Sequence, residues 1–198
     1  MALPMRAIAL TAITAAAVGI GTWATVRYVA HPRPGGPPPA TIGMAPAPPA
    51  SPDAGHIKAT LFYVAADGQR LAAAERDVLV AESPSEQGKR IIEAMLGPAP
   101  AGLVSAIPAG TTLKGLYVGE RGDAYVDFSA SLRANHPGGS DTEILTVYAI
   151  VSALTVNLPA ITAVQILIDG HEVDTLAGHV DLRRPLPGNR QWMQKGTS

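Results

Sequence analysis

The 198-residue sequence contains no cysteine, few aromatic residues and no excess of positive charge. Without cysteine, disulfides, thiolate metal sites, a cysteine nucleophile and a lipid carried on an N-terminal cysteine are all excluded. The net charge is −1, and no concentration of Lys and Arg is present to neutralise phosphates, so we expect no nucleic-acid partner. Aromatic residues make up 5% of the chain, which weakens a sugar-binding function, although Tyr63, Tyr117 and Tyr125 remain candidates for it.

Charge is also absent from residues 7–26, an apolar stretch long enough to cross a bilayer. Three interpretations of this stretch are open: a retained signal anchor, a signal peptide that is cleaved after Ala24, or a buried helix of the folded domain. We favour the retained anchor over residues 1–30, with the N-terminus inside. The sequence then predicts a single-pass protein of the bacterial cytoplasmic membrane whose C-terminal domain lies on the periplasmic side.

Residues 31–55 hold nine of the 18 prolines. Proline restricts φ and favours the extended polyproline II conformation, so this segment is predicted to be a stiff linker with little means of building a core. A docking peptide for a proline-binding domain is the alternative interpretation.

Three hairpins are predicted in the remainder of the chain. Alternating apolar residues flank an Asp-Gly turn at residues 67–68, a turn at residues 120–123 and a second Asp-Gly turn at residues 169–170. The third hairpin is expected to return through residues 172–176. Residues 121–123 spell Arg-Gly-Asp, which we interpret as a turn and not as an adhesion motif.

Two helices are predicted between the hairpins. The first is expected to begin after an N-cap at Ser83 and to end at Gly97 in the left-handed conformation. The second repeats this capping pattern, with Ser140 as N-cap and Glu143 three residues later. Its apolar residues lie on more than one side, which indicates a deeply buried helix.

The order hairpin, helix, hairpin, helix, hairpin predicts the α+β class. We expect a two-layer sandwich in which a mixed or antiparallel sheet carries two helices on one face. The domain is predicted to cover residues 56–186 and to be followed by a tail at residues 187–198.

Several segments of this domain resemble, in the same order, the GerMN domain, which is named for a sporulation and germination protein and occurs in bacterial envelope lipoproteins. The segments that carry the resemblance are residues 103–111, 124–129, 138–140, 164–170, 175–176 and 178–182. The resemblance implies a fold similar to the ring-building modules of secretion and sporulation complexes. It also implies a non-enzymatic envelope module that holds protein assemblies or acts near peptidoglycan. This chain differs in lacking the lipid-bearing cysteine and in carrying one copy of the domain.

Two short segments are candidate interaction sites. His136, Gly138 and Gly139 form a loop before the second helix, where backbone N–H groups favour anions, or they are simply the entry to that helix. Arg183 and Arg184 form a small basic patch, or they belong to a segment that covers a sheet edge.

Several acidic and histidine side chains are conceivable as catalytic or metal-binding groups. Neither a calcium-loop spacing nor a zinc-binding His spacing is present. We therefore predict no catalytic residue, no metal and no cofactor. The residues considered are Asp127, Asp169, His171, Asp174, His179 and Asp181.

The sequence thus predicts a membrane-anchored interaction or scaffold module of the cell envelope, not an enzyme. Its expected partners are envelope proteins or a second copy of itself. A peptidoglycan-binding module and a cell-wall hydrolase are the alternatives.

Overall fold

The computed structural model describes residues 55–193. The predicted membrane anchor, the linker apart from its last residue and the end of the tail lie outside the described residues, and the domain boundaries stay predictions. Within residues 55–193, no helix combines the length and the apolar character needed to cross a membrane.

The described chain alternates hairpins with helices, as the sequence predicts. A one-turn helix, a short late strand and a final 3₁₀ turn are additions to the predicted order. The elements are β1 (His56–Val64), β2 (Leu71–Leu79), α1 (Pro84–Leu96), β3 (Leu113–Val118), β4 (Asp123–Phe128), α2 (Ser131–Ala134), α3 (Ser140–Asn157), β5 (Ala163–Ile168), β6 (His171–Glu172), β7 (Leu186–Pro187) and the 3₁₀ turn Arg190–Trp192.

The strands form two sheets, which confirms the mixed α+β class but contradicts the expected single sheet. In the smaller sheet, β1 pairs with β2 as an antiparallel hairpin. In the larger sheet, β3 and β4 are antiparallel, β4 and β5 are parallel, and both β6 and β7 pair with β5. The parallel pair requires a crossover between β4 and β5, and α2 and α3 lie on that crossover.

Helix α3 is at the centre of the core. It packs against β1 of the smaller sheet and against β5 of the larger one. Ten of its 18 residues are buried, on all sides of the helix. The expectation that both helices cover one face of one sheet is therefore wrong, because α3 contacts two sheets.

Of the predicted helix ends, one is confirmed and two are wrong. The Ser83 hydroxyl accepts a hydrogen bond from the Glu86 N–H at 3.2 Å, which confirms the predicted cap of α1. The expected left-handed exit of α1 is wrong, since Gly97 has φ −72° and extended backbone. Ser140 is likewise not the N-cap of α3: Gly139 occupies that position with φ 87° and has no side chain to cap with.

The third hairpin is shorter than predicted. Its Asp-Gly turn is present, with φ of 51° at Asp169 and 78° at Gly170, but β6 contains only two residues. The chain then leaves the sheet, and the backbone of Leu176 bonds instead to the side chain of Glu143 on α3. The buried carboxylate of Glu143 thus binds backbone N–H groups of the segment that was predicted to continue as a strand.

Candidate functional site

A cleft of about 770 Å³ opens at the end of β1. Its walls come from the β1–β2 turn, the end of α1, the loop at residues 104–111 and the first turns of α3. The 21 described residues that line it are all uncharged. The larger apolar members are Val64, Leu96, Pro98, Val104, Ile107, Pro108, Pro137 and Leu145.

Side-chain donors hold the loop at residues 104–111 in place. Four consecutive carbonyl groups, those of residues 106–109, each accept a hydrogen bond from a side chain. The donors are Thr146 at 2.7 Å, Ser105 at 2.9 Å, Thr111 at 2.7 Å and Asn135 at 2.9 Å. Because these polar groups are used within the protein, the wall of the cleft presents mainly apolar surface.

The predicted segment at residues 136–139 borders this cleft. Asn135, which precedes the segment, and Pro137, which lies within it, line the cleft. His136, Gly138 and Gly139 lie outside the lining. Gly138 and Gly139 both have positive φ, of 84° and 87°, a conformation that glycine adopts without strain.

His136 connects this segment to the loop. Its Nδ1 accepts a hydrogen bond from the Gly138 N–H at 3.1 Å, which places the ring proton on Nε2. Nε2 then donates to Thr146 Oγ1 at 3.2 Å, and the Thr146 hydroxyl donates to the Ala106 carbonyl. Burial lowers the pKa of His136, while the Glu143 carboxylate acts in the opposite direction. The Gly138 N–H is thus already occupied and is not free to bind an anion.

The basic pair lies elsewhere. Arg183 and Arg184 are exposed and neither lines the cleft. Arg183 donates to both carboxylate oxygens of Asp181, at 2.8 and 2.7 Å, and this guanidinium holds the pKa of Asp181 well below its usual range. The structure therefore does not bring the two predicted segments into one site.

Glu143 has a role that sequence reasoning missed. Its side chain is fully buried, and its two oxygens accept hydrogen bonds from the Leu176 and His179 N–H groups, both at 2.8 Å. Burial alone raises the pKa of Glu143, but the N–H groups of residues 176, 177, 179 and 180 outweigh it and hold the pKa below its ordinary value. The position of Glu143 beside the apolar residues of a deeply buried helix is the sequence signal that could have pointed to this role.

The acidic and histidine residues considered as ligands do not form a metal-binding group in the described part of the chain. Among residues 55–193, no three His, Asp or Glu side chains are grouped so that they could hold a metal ion. Asp169 instead pairs with Lys114 at 2.6 Å, and Asp127 accepts a hydrogen bond from the Gly170 N–H at 2.8 Å.

Solved structures that are similar to this chain include two of GerMN domains. The first GerMN domain of the sporulation protein GerM from Bacillus subtilis has 22% identity and a TM-score of 0.52, over 66% of this chain and 97% of that chain. The tandem GerMN domains of the same protein have 20% identity and a TM-score of 0.50, over 67% of this chain and 44% of that one. This chain thus spans less than half of the two-domain structure.

A third structure is a "Putative Lipoprotein" from Clostridium perfringens. It has 25% identity and a TM-score of 0.47, over 67% of this chain and 88% of that chain. A comparison with curated proteins gives no match.

The model of the Germane family, described as "Sporulation and spore germination", matches residues 60–174. This match covers more than half of the 198 residues and includes the cleft loop and all of α3. The resemblance inferred from the sequence is confirmed, and the chain belongs to the Germane family, the family of GerMN domains.

Proposed function

We propose that this protein is an interaction module of the bacterial cell envelope, held at the cytoplasmic membrane by residues 7–26, and that its cleft receives an uncharged apolar segment of a protein partner. The uncharged lining carries this proposal. A charged ligand would lose its hydration without gaining a counter-charge there, whereas apolar side chains would be favoured.

The rigidity of the cleft supports binding. The side-chain bonds to residues 106–109 keep the loop in one conformation, so little conformational entropy is lost when a partner binds. Val104 stands at the rim with 60% of its surface exposed, although its backbone is bridged to Val64 by two hydrogen bonds. An exposed valine on a fixed backbone is suited to apolar contact with a partner.

The residues of the cleft favour binding over catalysis. The only serine in the lining, Ser105, donates its hydroxyl proton to the Ile107 carbonyl. The described lining contains no titratable side chain that could take this proton, and a general base must lie within hydrogen-bond reach of its nucleophile. We therefore favour the interaction module over the hydrolase alternative.

The test is site-specific photo-crosslinking in the native cells. A photoreactive residue at Ala66, in the lining, is expected to give a discrete protein adduct. Adding Val104→Asp should reduce the adduct at least about tenfold, because it puts a charge into the apolar interface.

Val80→Asp is the matched control, since Val80 is 45% exposed and lies outside the lining. It should leave the adduct unchanged. The proposal fails if no protein adduct forms at Ala66, or if both aspartate variants reduce the adduct equally.

A further inference from the structure

A second surface lies on the β3–β4 hairpin, away from the cleft lining. Tyr117 on β3 and Tyr125 on β4 are directly opposite each other in the antiparallel register, so their side chains project from the same face. Their neighbours Leu116 and Val126 face the other way and are fully buried. The two tyrosine side chains therefore start from adjacent positions on the outer face of the larger sheet.

Tyr117 has little cover. It is 66% exposed, the largest value among the exposed large hydrophobic side chains of the described residues. By contrast, Tyr63, the third tyrosine considered from the sequence, is only 1% exposed. Of the three candidates, Tyr117 is thus well exposed and Tyr125 is partly exposed.

A glycine lies next to each ring, and the one at Gly115 leaves space that Tyr117 uses. A Cβ atom at Gly115 would lie 3.2 Å from Cε2 of Tyr117, and one at Gly119 would lie 4.0 Å from Cε2 of Tyr125. The Tyr117 ring thus leans back along β3 over Gly115, which is buried beneath it, whereas the Tyr125 ring leans across the hairpin towards Gly119 near the turn. The two rings therefore lean in opposite directions and are spread along the hairpin.

Carboxylates flank this surface. Asp123 and Asp127 lie two residues before and after Tyr125, so all three share the outer face of β4 and are half-buried. Asp123 is 3.8 Å from Arg121, and Asp127 accepts from Gly170 through one oxygen. Both carboxylates therefore retain oxygens that can accept hydrogen bonds from a ligand.

Aromatic faces bordered by acceptors fit a carbohydrate. The C–H face of a sugar ring packs on an aromatic ring, and its hydroxyl and amide groups donate to the acceptors at the border. A protein anchor would instead favour an apolar border that excludes water, and here the surroundings are glycine, aspartate and, near Tyr117, Lys89. Two rings spread along one hairpin suit two sugars of one chain.

We propose that Tyr117 and Tyr125 form a stacking platform for the glycan strands of the cell wall, that is, β-linked N-acetylated sugars. The identity of this glycan rests on the envelope location under the proposed function. The platform itself does not depend on the cleft, because none of its residues lines the cleft.

The test is co-sedimentation of the full-length protein, in detergent micelles, with protein-free peptidoglycan sacculi. Tyr117→Ala and Tyr125→Ala should each weaken binding about 2- to 10-fold, the range expected for one aromatic contact. The double variant should bind more weakly than either. Tyr117→Phe combined with Tyr125→Phe keeps both rings and should keep most of the affinity.

A soluble tetramer of β-1,4-linked N-acetylglucosamine should compete with the sacculi, whereas free stem peptide should not. Thermal unfolding of each variant shows whether the fold is intact. The proposal is overturned if the parent protein does not sediment with sacculi, if the double alanine variant binds fully, or if only the stem peptide competes.

The two proposals fail separately. Val104→Asp alters the cleft and should leave sacculus binding intact. The alanine variants of the platform should leave the protein adduct at Ala66 intact.

Discussion

Glu143 is a fully buried carboxylate that the surrounding chain keeps in the charged form. Transfer of a charge into a protein interior is costly unless hydrogen bonds replace the lost water. In this domain the backbone N–H groups of the segment after β6 supply those bonds, at 2.8 Å for Leu176 and for His179. The segment therefore packs against α3 through this side chain and does not continue as a strand.

Replacing Glu143 by glutamine should lower the free energy of unfolding by about 2–3 kcal/mol, since charge-assisted hydrogen bonds are lost and an NH₂ group faces an N–H donor. Urea unfolding followed by circular dichroism measures this change. Glu120→Gln, at an exposed turn residue, is the control and should stay within about 0.5 kcal/mol of the parent. Equal stability of the two variants would contradict the role assigned to Glu143.

At the scale of elements, the end of α3 is joined to β1 by one amide. Asn157 Oδ1 accepts from the Thr60 N–H at 2.8 Å, and Nδ2 donates to the Thr60 carbonyl at 2.7 Å. These are the two bonds that a neighbouring strand would make with Thr60. Asn157 thus satisfies part of the free edge of β1 and fixes the helix against the hairpin.

Asn157→Ala should lower the free energy of unfolding by about 2 kcal/mol, because two backbone groups of β1 lose their partner. The local measurement is native-state hydrogen exchange, in which the Thr60 amide should lose more protection than the amides of β4. Asn157→Asp keeps the acceptor but turns a carboxylate oxygen towards the Thr60 and Ala153 carbonyls, so it should destabilise the protein at least as much as alanine does. An equal loss of hydrogen-exchange protection in both sheets would contradict the prediction that Asn157 stabilises the edge of β1 locally.

At the scale of the whole molecule, stability should depend on pH through a half-buried histidine and a buried glutamate. Burial lowers the pKa of His136 from its ordinary value of 6.5, so the unfolded chain binds a proton there before the folded chain does. Stability is therefore fully present above pH 6.5 and falls as the pH drops towards the folded pKa. Glu143, whose pKa is also lowered, adds a second loss below its ordinary value of 4.5.

Urea unfolding at about pH 7.5, 5.5 and 4 tests both windows. His136→Gln should remove most of the change between about pH 7.5 and 5.5, and Glu143→Gln should reduce the change below about pH 4.5. His171→Gln, at an exposed histidine, serves as the control. A parent protein that becomes more stable as the pH falls from about 7.5 to 5.5 would contradict this direction of the pH dependence.

Local chemistry explains why the order of elements could be predicted. The cap at Ser83 and the turn at Asp169-Gly170 act through neighbouring residues, and the alternation in β4 follows from the two faces of one strand. Such signals depend only on residues close in the chain. They also carry the resemblance to GerMN domains, since its segments recur in the same order.

These local signals do not identify contacts between residues that are distant in the chain. The spacing of apolar residues indicates which face of an element is buried, but not which element covers that face. The parallel pairing of β4 with β5, the division into two sheets and the contact of α3 with both sheets are therefore decided by tertiary packing. The cleft and the burial of Glu143 share this origin. The sequence predicts that Glu143 supports a local cap, yet it binds residues 33 and 36 positions away because a buried anion takes the donors that the folded chain brings to it.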